Sequence, residues 1–121
     1  MRPEELYLAD IVEAAGAIGQ FISVVDRDSF LDDELRQSAV LQKLIVIGEA
    51  ASRLRAEFRD RHREIEWADV IGFRNIAVHA YFVVNWSIVW VTATQDVPEL
   101  CEKVAAILIH EYRDQSHSPL A

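Results

Sequence analysis

A chain of 121 residues is sized for one domain, and with half its residues apolar it can build a core without staples. Its one cysteine excludes an internal disulfide, and no Cys/His cluster points to structural zinc. A net charge of −8 disfavours a general nucleic-acid coat protein, because phosphate binding rests on Lys and Arg. No apolar run approaches the roughly 20 residues that span a bilayer, and MRPEELYLAD lacks the apolar stretch of a signal peptide. The expected setting is the cytoplasm.

The charge is unevenly placed. Nine acids and three arginines fall in residues 1–40, whereas five arginines crowd into RLRAEFRDRHR, Arg53 to Arg63. A solvated helix face with mixed charge is the plain reading of that stretch; a path for RNA is the functional one.

Helical periodicity dominates. Leu8, Ile11, Ala15, Ile18, Ile22 and Val25 form one apolar stripe, with Pro3 suited to a first turn and Glu4 and Glu5 placed where the helix dipole favours acids. DRDSFLDDE reads as a turn and a cap. Val40, Leu44, Ile47, Ala51, Leu54 and Phe58 predict one long antiparallel helix from Asp33 to about His62. A third helix is expected from Trp67 to His79, apolar almost all round; one bundle cannot easily cover it on all sides, which predicts a two-fold dimer with this helix near its axis. Asn85 can cap a fourth helix, in which Trp86, Trp90, Ala93, Val97, Leu100, Val104 and Ile107 stay in phase through Pro98. A kink is expected there, although D-V-P-E also reads as a capping box. Residues 1–113 then make an all-α, up-and-down antiparallel bundle of four to five helices, with 114–121 as a flexible tail.

The chemically capable residues cluster in GFRNIAVHAYF, Gly72 to Phe82. Ala68, Gly72, Asn75 and His79 share one helical stripe, a shallow groove of small and polar residues. Arg74 lies about 140° around the axis from His79, so the two converge only if the Arg side chain wraps round, if the helix ends near His79, or if two copies meet at a two-fold axis. A neutral His can take a proton from a ribose 2′-OH or give one to the leaving oxygen. An Arg offers a planar fork to a phosphoryl group that gains charge, and Asn75 could orient the imidazole. No carboxylate occurs between Gly72 and Asn85, which disfavours a two-metal nuclease and calls for no cofactor. The structural alternative is that Arg74 and His79 are satisfied by carbonyls or by a carboxylate such as Glu49.

The pattern Arg-x4-His-x-Tyr at Arg74, His79 and Tyr81 resembles the signature of the HepT family of the HEPN superfamily, the toxin half of HepT/MntA toxin–antitoxin pairs. LYLADIVEA, DELRQSAVLQKLIVIGEAASRL, EIEWADVIGFRNIAVHAYF and DVPEL extend the likeness along nearly the whole chain. The resemblance implies a homodimeric, metal-independent ribonuclease with Arg74 and His79 as catalytic residues in a cleft at the dimer interface. It also implies a partner nucleotidyltransferase, a consumer of ATP and magnesium, that silences the toxin by AMP transfer to Tyr81. Ala80 and the Val83-Val84-Asn85 turn depart from the common family pattern and bear on partner docking or substrate choice. The competing reading is a non-catalytic nucleotide- or partner-binding helical dimer that docks a nucleotidyltransferase.

Overall fold

The computed structural model describes residues 3–76 and 84–113. Among them no strand occurs. α1 (Glu4–Ile22) buries Leu8, Ile11, Ala14, Ala15 and Ile18, the stripe read from the sequence. Pro3 is the N-cap and not a first-turn residue. The DRDSFLDDE stretch divides into two capped starts. Asp26 accepts from the Ser29 N–H to open α2 (Arg27–Leu31), and Asp33 accepts from the Arg36 N–H to open α3 (Glu34–Ser52). Buried Gln37 donates to the carbonyls of Phe30 and Leu31, satisfying the end of α2 from the first turns of α3.

The long helix expected from Asp33 to His62 is broken. α3 stops at Ser52, and α4 (Ala56–Arg61) is a separate short helix. Leu54 and Phe58 are buried as the periodicity predicts, but a turn carries them there. The Arg53 and Leu54 N–H groups already bond three residues back, to Ala50 and Ala51, and Glu4 holds the next N–H. Its carboxylate, only 8% exposed, accepts from the Arg55 N–H at 3.0 Å and from Arg55 Nε at 3.1 Å. An N–H taken by a side chain 51 residues away is not available to continue a helix.

α5 (Trp67–Gly72) packs on α3; the helix expected from Trp67 to His79 is interrupted by a turn at Phe73 and Arg74 and is helical again at Asn75 and Ile76, where the described residues of this segment end. After Gly72 the chain tightens into i→i+3 bonds, Phe73 N–H to Val70, Arg74 N–H to Ile71 and Ile76 N–H to Phe73. Nor is this segment uncovered: Trp67, Val70 and Phe73 are buried, and Ile71 and Ile76 pack against the core within one chain.

From Trp86 to Arg113 the backbone is helical throughout: α6 (Trp86–Val91), a π-helical turn over Thr92–Asp96, α7 (Val97–Ile107) and a second π-helical turn over Leu108–Arg113. Asn85 caps this rod by accepting from the N–H groups of Ser87 and Ile88. Just before Pro98 the rod widens into the π turn, in which the Val97 N–H reaches back to the Thr92 carbonyl. Ala93 within that turn and Val97, Leu100, Val104 and Ile107 after it are buried. Asp96 makes no side-chain cap, so D-V-P-E is not a capping box here.

The bundle's directions follow from contacts at its ends. Glu4 at the start of α1 meets Arg55 just past α3, so α1 and α3 are antiparallel. Arg27, just beyond α1, donates to Ser87 at the start of the rod, while Arg61 and His62 meet Glu111 near its end. The core lies between these elements, with Phe30 fully buried against the rings of Trp86 and Trp90, at 6.4 and 5.3 Å between centroids. No described helix is long and apolar enough to cross a membrane.

Candidate active site

Arg74 sits in the tight turn that follows α5, where its own helix offers little to hold it. α3 does so instead, with two consecutive residues. At Gly48 the backbones nearly touch. A Cβ there would lie 2.7 Å from Arg74 N and 3.0 Å from both Arg74 Cβ and the Ile71 carbonyl oxygen. Only a residue without a side chain allows this approach. At Glu49 the carboxylate accepts from Arg74 Nη1 at 3.0 Å.

This is the carboxylate the sequence marks as Arg74's alternative partner. The pair is not sealed in the core, since the two side chains remain 39% and 46% exposed for Arg74 and Glu49. The contact engages one terminal nitrogen of the guanidinium. A fork with five N–H donors still has capacity to meet an anion from solvent.

Asn75 follows Arg74 and is exposed. On the stripe Ala68–Gly72–Asn75, Ala68 and Asn75 are exposed, and a Cβ on Gly72 would meet none of the described residues within 4 Å. Because the turn at Phe73 and Arg74 interrupts the helix, these residues do not continue one unbroken α-helical face. His79, Tyr81 and Ala80 lie outside the described residues, as do Val83 and the tail 114–121.

The basic stretch is less available than its composition implies. Arg55 pairs with Glu4, Arg61 with Glu111 at 3.1 Å while lying over the Phe58 ring, and Arg63 with Asp60 at 3.8 Å. Arg59 and Arg63 line a shallow groove shared with Trp67 and Ala68. On the other side of α5 a cleft of about 180 Å³ runs between that helix and the rod, with Val70, Phe73 and Leu100 as its apolar part and Glu66, Asp69, Asp96 and Glu99 among its lining. Among the described residues no three His, Cys, Asp or Glu side chains are grouped to hold a metal ion.

Gly48 is the site residue that sequence reasoning passed over. IGEA is visible as a motif, but a glycine inside a helix carries no mark of the partner it approaches.

Residues 11–107 match the family described as ribonuclease HepT-like. A protein of Caldanaerobacter subterraneus subsp. tengcongensis, named as a candidate RNase, is 32% identical over 92% of this chain and 99% of its own length. A candidate HepT ribonuclease of Thermococcus cleftensis is 36% identical over 82% of this chain and 90% of its own. A candidate RNase of Methanocaldococcus jannaschii is 29% identical over 88% and 97%. No solved structure matches the chain. With nearly the whole described helical domain inside the matched range, the chain belongs to the HepT-like ribonuclease family.

Proposed function

We propose that this protein is a metal-independent endoribonuclease in which Arg74 and His79 do the chemistry, and that it serves as the toxin of a toxin–antitoxin pair. The observation that carries the reading is the setting of Arg74: a guanidinium tethered at one nitrogen, open to solvent, within the segment that supplies the Arg-x4-His-x-Tyr pattern. In the reaction, the His79 imidazole takes the proton of a ribose 2′-OH. The oxygen attacks the adjacent phosphorus to form a 2′,3′-cyclic phosphate, the bond to the 5′-oxygen breaks, and that oxygen takes a proton back from the imidazolium. Arg74 bonds the phosphoryl oxygens as they gain charge. A homodimer brings the Arg and His residues of two copies to one cleft, and Asn75 orients the imidazole.

Silencing falls to Tyr81. AMP transfer by a partner nucleotidyltransferase, with ATP and magnesium, adds about one negative charge and a bulky base beside Arg74. The test is cleavage of an RNA oligonucleotide in EDTA by wild type and His79→Ala. Wild type is expected to cut, and loss of acid–base help lowers the rate by about two to four orders of magnitude. Inhibition by EDTA, or normal cutting by the variant, refutes the mechanism. Intact mass after incubation with the partner enzyme then separates wild type, which gains AMP, from Tyr81→Phe, which does not.

A further inference from the structure

We infer that Glu49 is a positioning residue for Arg74, presenting the guanidinium to the substrate's phosphate. The inference rests on the proposed reading of Arg74 and adds a residue on a different helix to its machinery. α3 fixes the arginine at both ends of its side chain. Gly48 sets where the side chain starts, by a backbone approach that admits no Cβ, and Glu49 sets where it finishes, through Nη1 at 3.0 Å. Phe73, Arg74 and Ile76 donate bonds three residues back in an interrupted helix, so the local helix does little to aim the head group.

Folding stability is a poor account of the pair. Ion pairs between side chains this exposed contribute little to stability, since solvent screens the attraction and ordering two long chains costs entropy. Aim is a different matter. A long side chain with many rotamers must be held in one of them to meet a phosphoryl oxygen in the transition state, and a misplacement of about 1 Å costs about a hundredfold in rate. A carboxylate that takes one nitrogen of the fork restricts the rotamers and still leaves donors for the phosphate.

The experiment measures kcat and KM for one RNA oligonucleotide with the full chain and with Glu49→Ala, Glu49→Gln, Arg74→Ala and the double variant Glu49→Ala/Arg74→Ala, alongside their melting temperatures. Glu49→Ala is expected to lower kcat by about ten- to a hundredfold, with a melting temperature close to wild type. Glu49→Gln keeps an acceptor oxygen and is expected to recover most of kcat, and the double variant to be no slower than Arg74→Ala. A wild-type kcat in Glu49→Ala overturns the inference. So does a lower KM at unchanged kcat, the mark of a carboxylate that merely competes with phosphate, and so does a further loss on top of Arg74→Ala. If Arg74→Ala itself cuts like wild type, or wild type does not cut, the reading of the site falls and Glu49's role with it.

Discussion

Replacing Gly48 by alanine is the sharpest probe of how α3 and the turn after α5 fit together. The added Cβ would sit 2.7 Å from Arg74 N, and ordinary contact begins at 3.4 Å, so the elements must part by about 0.7 Å. The obstructing atoms include Arg74 N and the Ile71 carbonyl oxygen, which cannot swing aside as a side-chain end can. Forcing a group into a packed contact costs about 1–3 kcal/mol. Alanine also improves the helix by about 1 kcal/mol, which masks part of that cost if wild type alone is the reference. Gly16→Ala in α1 supplies the correction. It enjoys the same gain in helix propensity, and its Cβ would meet nothing within 4 Å. Gly16→Ala is expected to melt above wild type. Gly48→Ala is expected to melt below Gly16→Ala by the full clash, about 3–6 °C for each kcal/mol in a chain of this size. The assay is thermal unfolding followed by circular dichroism. Equal melting temperatures for the two variants would show that the approach of α3 to Arg74 is looser than this geometry.

Asn85→Ala removes the cap that receives the Ser87 and Ile88 N–H groups and is expected to cost about 1 kcal/mol in urea unfolding; Asn85→Asp, which keeps the acceptor, should cost little, and equal losses would refute capping. Burial, and after it the neighbouring Glu102, raises the Cys101 thiol above its ordinary 9.0. The folded thiol therefore stays neutral while an unfolded one ionises, and its contribution to stability is whole below pH 9.0 and lost as pH climbs through the higher folded value. Alkylation by iodoacetamide should rise with pH later in the folded chain than in the chain in urea, and coincident profiles would overturn this.

Much of the fold is legible in the sequence because its apolar stripes are strong. Leu8, Ile11 and Ile18 in α1 and Val97, Leu100 and Val104 in α7 are buried where spacing puts them. Asp26, Asp33 and Asn85 cap as their side chains predict. What periodicity cannot see is a break that keeps phase. Leu54 and Phe58 continue the stripe of α3 so well that the turn at 53–55 is invisible, because the carboxylate that holds it, Glu4, is distant in sequence. The turn after Gly72 is hidden likewise, since no proline marks it and the neighbours that meet it come from Gly48. Charge is misread for a related reason. A run of arginines looks free until Glu4, Glu111 and Asp60 are seen beside it.

On the proposed reading, the pairing of Arg55, Arg61 and Arg63 bears on where phosphate recognition would reside. An acidic chain with Arg55 and Arg61 on its own carboxylates would draw RNA only weakly by broad positive potential. Binding would then depend on a few well-aimed groups, and aim requires a rigid support. Such a support exists for Arg74, because α3 is buried through Leu44, Ile47, Ala50 and Ala51 on either side of Gly48 and Glu49. Those core residues fix the helix, the helix fixes Gly48 and Glu49, and these fix the two ends of one arginine. A polar head in a greasy segment is therefore no contradiction. Phe73, buried next door, anchors the turn to the core and leaves Arg74 to point outward.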